Sequence, residues 1–247
     1  MQARYKCHMG DDLLVVDSAR VSFAKESWYI DGSYIPNTEH RRYREWEQYR
    51  DRALETGELW DDKLGHRILS LEDFSLIHFL AEHGHWTPTA HPHITLVMQA
   101  PVPIRTQCFK HKQGFVENEE SRRYIKSTPK LYIPDTFRSA PENAKQGSGG
   151  EHPDSLKWRT KYVYKAHQCI RLYEKMIEDG VAPEQARFIL PQGVEVEWYW
   201  TGSLAAFARF AKQRLDPHAQ LEVRQLAHAV SQHIRPLFPV SWAALMK

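Results

Sequence analysis

Cysteine is scarce in this chain of 247 residues: Cys7, Cys108 and Cys169 are the only three, and no two form a C-x-x-C pair. An odd count without that spacing excludes a disulfide framework or a structural zinc ribbon as the organising element. It favours a reducing compartment. Long apolar runs are missing too, and none approaches the roughly 20 residues that span a bilayer. Residues 1–8 lack the apolar centre of a secretory signal, so a cytoplasmic location is expected. Charge of one sign is also lacking. With 33 Lys+Arg against 31 Asp+Glu the formal net charge is +2, too small for the whole surface to attract a polyanion. Any preference for an anion must come from local clustering. No internal repeat is visible.

What is present is an ordinary soluble composition, 42% hydrophobic and 26% charged, long enough for a sizeable core. Leu13 to Phe23 reads as a short apolar stretch, and Arg41 to Arg52 as a solvated helix. Ser70 predicts a helix N-cap, with Asp73 at the third helical position and Phe74, Ile77, Leu80 and Ala81 on the buried face. Gly84 and Pro88 end that helix. Ile94 to Met98 and Val194 to Thr201 read as strands, and residues 104–112 as a short helix. Residues 139–155 are rich in Gly, Ser and Pro and predict a surface loop. Asp154 or Ser155 then caps a helix to Asp179, with Leu156, Tyr162, Ala166, Ile170, Tyr173 and Ile177 as its stripe and Gly180 as its stop. Pro183 opens a short helix, and Ser203 to Arg214 reads as helical. Asp216 and Pro217 read as the N-cap and first residue of a last helix to about Leu237. Helices outnumber strands without regular alternation. The expectation is an α+β fold, a small mixed or antiparallel β-sheet packed with several helices, in a single domain over 1–247.

Three clusters carry chemistry. His83, His85, His91 and His93 invite a zinc reading, but no H-E-x-x-H occurs, and histidines at a helix C-terminus also complement its dipole. No metal is expected. The segment from Lys110 to Tyr124 holds Lys110, His111, Lys112, Ser121, Arg122 and Arg123, groups suited to phosphate oxygens. Gly114 permits a tight turn there. The same segment also reads as a solvated charged surface. The third cluster is Arg209, Arg214, Asp216, His218 and Gln220. If Asp216 caps a helix, Arg214 lies beside a helix N-terminus, where an anion is favoured. An ordinary capped helix with an exposed arginine is the alternative.

Taken together, these segments resemble the flavin-dependent (ThyX-type) thymidylate synthases. The family hallmark reads roughly R-H-R-x-x-S-x-N-E-x-S-x-R-Y, and here Lys110-His111-Lys112 is followed by Asn118-Glu119-Glu120-Ser121-Arg122-Arg123-Tyr124. Ala19-Arg20-Val21-Ser22-Phe23, His83-Gly84-His85-x-Thr87-Pro88, Ala186-Arg187-x-x-Leu190-Pro191, Trp200-Thr201 and Arg214-Leu215-Asp216-Pro217-His218-Ala219-Gln220-x-Glu222 match in chain order. Their joint occurrence is specific, although no single one is. Both hallmark arginines are lysines, which keeps the charge and loses the bidentate fork. One extra residue separates His111 from Asn118. Ala90, Ser203 and Ala205 replace residues common in the family. A divergent, phage-type branch is the expectation, with a bacterial or phage-infected host cytosol as the setting.

The resemblance implies reductive methylation of dUMP to dTMP. FAD would be the cofactor, with NADPH and methylenetetrahydrofolate as co-substrates, in a homotetramer with shared sites. It implies that Gln107, Glu119, Glu120, Ser121, Arg123 and Arg187 hold dUMP, Arg187 from another subunit. Arg214 contacts and polarises the uracil as the catalytic residue. Ser22, His85, Thr87, Lys110, His111, Lys112, Arg209 and His218 are implied as FAD contacts. No protein nucleophile is needed, and Cys108, which lacks an activating motif, reads as a packing residue. The rival reading is a nucleic-acid-binding module that uses Arg105, Lys110, Lys112, Arg122, Arg123 and Lys126, with Phe109, Phe115 and Tyr124 stacking on bases. Near-neutral charge and Glu117, Glu119 and Glu120 oppose it, so neither nucleic acid nor membrane is expected as a partner.

Overall fold

A computed structural model describes residues 1–57, 59–61, 65–141 and 147–247. The described elements are, in order, β1 (Gln2–Met9), α1 (Asp12–Arg20), α2 (Tyr43–Thr56), β2 (Trp60–Asp61), β3 (Gly65–His66), α3 (Leu71–Glu82), β4 (His93–Pro101), α4 (Val102–Phe109), β5 (Phe115–Glu119), α5 (Ser155–Glu178), α6 (Pro183–Ala186), β6 (Glu195–Ser203), α7 (Leu204–Arg214), α8 (Leu221–Ile234) and α9 (Pro239–Met246). This is the expected α+β class. The residues fall into two compact units, the first comprising 1–6, 95–201 and 210–230, the second 7–94, 202–209 and 231–247.

The first unit holds most of a four-stranded antiparallel sheet ordered β1-β4-β6-β5. Thr95 bonds Thr201 at 2.9 Å, and Gln99 donates to Glu195 at 3.0 Å, which fixes the register of β4 against β6. In β6 the alternating Val196, Trp198 and Trp200 are buried, as a period-two pattern requires. β1 buries only Ala3, so its sequence carries almost no strand signal. The exposed Arg4–Glu197 pair, at 2.6 Å, and the backbone ladder define it instead. Helix α5 buries Ala166, Ile170 and Tyr173, but Leu156 is 75% exposed. The predicted stripe therefore begins about two turns too early. Neither expected cap forms: Asp154 makes no side-chain capping bond, and Ser155 Oγ accepts from the Phe137 N–H at 2.8 Å. Part of the expected 139–155 loop, residues 142–146, lies outside the described residues. Its flanks close through Ser139 and Gly150, whose backbone bond is 2.9 Å.

The last predicted helix is displaced. Asp216 Oδ1 accepts from the His218 N–H at 2.7 Å, a local turn, and α8 starts only at Leu221. Asp and Pro serve a turn as readily as a helix start. Beyond Phe238, Pro239 opens α9, a helix that lies past the expected end at about Leu237 and was not anticipated.

The second unit is helical. Ser70 caps α3 as expected, its Oγ accepting from the Asp73 N–H at 3.1 Å. Trp46 of α2 is buried and donates its indole N–H to the Leu69 carbonyl at 2.9 Å. Helices α1, α3 and α9 pack on one another. Asp12, at the start of α1, is buried and accepts from the Val240 N–H at 2.8 Å and the Ser241 N–H at 2.9 Å. It thereby satisfies donors in the first turn of α9 that have no intrahelical partner. Burial pushes its carboxyl up to about 6 from an ordinary 3.8, against the opposing bonds from Ser241 and Val240.

A folded-state value above the unfolded one favours the protonated form of the fold. The corresponding stability is complete below about pH 3.8 and is lost as pH rises through about 6. The Asp12→Asn variant cannot ionise there. Between pH 4 and pH 7 its unfolding free energy should gain on wild type by up to about 3 kcal/mol. Denaturant titrations at the two pH values measure this, and a pH-independent difference would show that Asp12 titrates normally.

Candidate active site

The described cluster in the first unit is built by two helix ends and a turn. Pro101 ends β4, and α4 follows at once, with Pro103 in a first turn that needs no N–H. Its last turn delivers Gln107 and buried Cys108, and the chain continues into Lys110 and His111. Gly114, at φ +77°, reverses the chain into β5, a backbone state that side chains disfavour. Phe115 then stacks on Trp200 at 4.2 Å between centroids. Trp200 meets the edge of Phe210 at 4.9 Å, and Phe210 meets His111 at 5.1 Å. These contacts form a continuous aromatic support for the His111 ring.

Arg214 Nε donates to His111 Nε2 at 2.9 Å. The acceptor lone pair requires a neutral imidazole whose proton sits on Nδ1. The two Nη groups of Arg214 have no hydrogen-bond partner among the described residues. Arg214 is the last residue of α7, which corrects the expectation of a helix N-terminus beside it. The peptide dipole at a helix C-terminus stabilises the guanidinium itself instead of a bound anion.

Gln107 Nε2 donates to Gln220 Oε1 at 2.6 Å, and Gln220 Nε2 donates to Glu222 Oε2 at 2.9 Å. Glu119, half-buried at the end of β5, pairs with Arg105 at 2.8 Å. Burial raises its carboxyl, with Glu120 adding to the effect and Arg105 opposing it. The Glu120 N–H donates to the Glu197 carbonyl at 2.9 Å. Ser121 Oγ accepts from the Arg123 N–H at 3.3 Å. Arg123 Nε reaches the Glu184 carboxylate at 3.3 Å, and Arg187 Nε reaches the Glu184 carbonyl at 3.3 Å. The two arginines therefore gather at one residue. Lys112 pairs with Glu117, and Lys110 is exposed. His218 bonds Asp216 through its Nδ1 at 2.9 Å, so its described partner is that turn and not Arg214.

The remaining predicted residues lie in the second unit. Ser22 and Thr87 are exposed, Arg209 is half-buried on α7, and exposed His85 lies 5.9 Å from the Phe79 ring. His83 Nδ1 bonds the Phe79 carbonyl at 2.9 Å. No group of three or more His, Cys, Asp or Glu among the described residues could hold a metal. A cavity of about 420 Å³ in this unit borders Ala19, Arg20, Phe23, Arg41 and Phe79. The sequence alone assigned no role to Glu184, Arg138 or Glu222, and Arg105 stood only in the basic patch of the nucleic-acid reading. Glu222 had one signal, its place within the last matching motif.

Comparison with known proteins gives a consistent result. The family described as Thymidylate synthase complementing protein matches residues 6–240. Among curated proteins, a flavin-dependent thymidylate synthase of Thermus thermophilus is 35% identical over 175 residues, covering 70% of this chain and 63% of that protein. The match thus spans less than two thirds of that relative. The enzyme of the same name from Thermosipho africanus is 32% identical over 178 residues, covering 71% and 78% of the two chains. A solved UMP/dUMP methylase, PolB of Streptomyces cacaoi bound with 5-Br dUMP, has TM-score 0.72 and 23% identity and covers 98% of this chain and 93% of its own. At that identity the likeness is one of fold.

Burial pushes the Cys108 thiol up to about 12, although the nearby Arg214 charge opposes this. At pH 8 the group is a thiol and not a nucleophilic thiolate. Iodoacetamide at pH 8 should modify exposed Cys7 and leave Cys108 unlabelled in the folded protein. Peptide mass spectrometry checks this, and rapid labelling of Cys108 would reopen a covalent role.

Proposed function

The chain belongs to the thymidylate synthase complementing protein family, whose curated relatives are named flavin-dependent thymidylate synthases, and on that premise we propose that it methylates dUMP to dTMP. The observation that carries the proposal is the Arg214–His111 pair, which leaves both Nη groups of a fixed guanidinium uncommitted. Such a fork suits a uracil carbonyl on which negative charge develops while C5 acts as the nucleophile. Arg214 holds that oxygen, and neutral His111 holds Arg214. Gln107 reads the base. Glu119, Glu120, Ser121 and Arg123 grip the sugar and phosphate, with Arg187 added from a neighbouring subunit. When bound, FAD reduced by NADPH supplies the hydride, and methylenetetrahydrofolate supplies the carbon. Cys108 stays protonated and takes no part.

The residues that the resemblance assigns to FAD carry groups of the kind a flavin dinucleotide needs. Lys110, His111, Lys112 and His218 offer cationic or N–H donors to a pyrophosphate. Ser22 and Thr87 offer exposed hydroxyls, His85 an exposed flat ring, and Arg209 a further cation. The family match runs through both units, which supports one functional domain over 1–247. We propose a homotetramer acting in the cytoplasm. Exposed apolar side chains such as Ile35 (88%), Phe188 (82%) and Phe23 (76%) support burial against further copies. No helix of the described residues is long and apolar enough to cross a membrane. The nucleic-acid reading is not favoured, because carboxylates that would repel a phosphate backbone stand among the cations it needs. Arg105 pairs with Glu119, Lys112 with Glu117 and Arg123 with Glu184, while Arg122 donates to the Ser127 carbonyl.

The test is to incubate the protein with FAD, NADPH, methylenetetrahydrofolate and dUMP and to weigh the nucleotide product. Replacement of one hydrogen by a methyl group is expected, and unchanged dUMP would overturn the proposal. The purified protein should also absorb near ~450 nm, as an oxidised flavin enzyme does. In the same assay Arg214→Ala should fold normally and lose at least about 100-fold in turnover, the scale of deleting an oxyanion donor. Near wild-type turnover would remove Arg214 from catalysis.

A further inference from the structure

We infer that Arg138, Glu222 and Gln220 form a positioning relay that locks the Gln107 carboxamide in one flip state and so decides which pyrimidine edge the site accepts. The inference rests on the reading that Gln107 faces the substrate base. The relay lies wholly in the first unit. It begins at Glu222, buried in the first turn of α8, 6% exposed. Both carboxylate oxygens of Glu222 lie 2.8 Å from Arg138 Nη2, and Ser148 Oγ holds Arg138 Nε at 2.6 Å. Burial acts to raise the Glu222 carboxyl. The Arg138 guanidinium, a backbone bond and the Gln220 amide outweigh burial and hold it below the usual carboxylate range.

Glu222 is therefore ionised at neutral pH, and an ionised carboxylate only accepts hydrogen bonds. Its neighbour must present a donor, so Gln220 turns its NH₂ to Glu222 at 2.9 Å. That choice leaves Gln220 Oε1 facing Gln107, which must answer with its own NH₂ at 2.6 Å. Each amide passes polarity to the next, because its oxygen and nitrogen lie on opposite sides. The sense set by one buried anion thus fixes Gln107, which is left with its Oε1 and one N–H for a ligand. Flipping Gln107 would set carbonyl against carbonyl at Gln220. Flipping both amides would set a carbonyl against the Glu222 carboxylate.

The consequence is specificity between bases that differ by inverted hydrogen-bond groups. Uracil carries a donor at N3 beside an acceptor at C4, and cytosine carries an acceptor at N3 beside a donor at C4. A freely rotating glutamine serves both by turning its amide over. A locked one serves a single pattern and leaves the other with unpaired groups, which costs affinity. We assign Oε1 of the locked Gln107 to the uracil N3–H. Arg138, Glu222 and Gln220 then act through Gln107 and touch no substrate.

Calorimetric titration of the full-length, flavin-loaded protein with dUMP and with dCMP tests this. Wild type should prefer dUMP. Gln220→Leu removes an exposed link without opening the core, and it should narrow the dUMP-to-dCMP preference by about tenfold. Glu222→Gln, whose amide can donate as well as accept, should narrow it likewise. If that variant fails to fold because Arg138 loses its partner, Gln220→Leu still decides. An unchanged ratio in Gln220→Leu, or equal weakening of both nucleotides, would reduce the relay to a structural role and overturn the inference. Gln107→Leu separates the two readings. Unchanged dUMP affinity there would show that Gln107 does not face the base, and the relay would fall with that reading. Weakened dUMP binding there, with an unchanged ratio in Gln220→Leu, would remove the relay alone.

Discussion

An arginine is hard to place accurately, because its long side chain has many rotamers and its charge attracts water from every side. The hydrogen bond from Arg214 Nε to His111 Nε2 addresses that constraint, and the proposed chemistry depends on it. It commits one edge of the guanidinium to a ring that is itself fixed by Phe210, Trp200 and Phe115. The edge left over points as a rigid fork. The strands β5 and β6 matter here chiefly because they bring those aromatic rings together. The fold thus converts the packing of Phe and Trp side chains into the direction of a charge.

The bond also constrains protonation. A neutral His111 beside a permanent cation avoids like-charge repulsion, and an imidazolium would have no lone pair to offer Arg214. The same logic of acceptor and donor runs through the glutamines on the neighbouring turn, where the buried Glu222 sets the sense. Two unrelated devices, a ring nitrogen and a carboxylate, orient two neighbouring polar groups by leaving each only one compatible arrangement.

Much of the fold was legible where one local rule dominated. The Ser70 cap of α3, the alternation in β6 and the glycine stop of α5 each follow from a short stretch of sequence. What was not legible depends on partners far away in the chain. β1 buries a single alanine, and β5, Phe-Val-Glu-Asn-Glu, has polar residues at three of its five positions, so neither announces a strand. Asp216-Pro217-His218 has the composition of a helix start, and only the bond from the His218 N–H shows it to be a turn. The site residues were legible as ordered motifs, but their pairings were not. Arg138 and Glu222 lie 84 positions apart and Arg123 and Glu184 lie 61 apart, distances over which spacing carries no contact information.

The tie between Asp12 and the first turn of α9 joins groups 228 positions apart. The second unit is accordingly assembled from three separated stretches of chain, the last of them the 231–247 segment. During synthesis the buried carboxyl of Asp12 must wait, solvated and unpaired, until residue 241 has left the ribosome. Until then helices α1 and α3 expose the surface that α9 will cover. Closure between segments so far apart in the chain is slow by its topology. It makes the nascent chain, more than the finished protein, the form most in need of protection from aggregation.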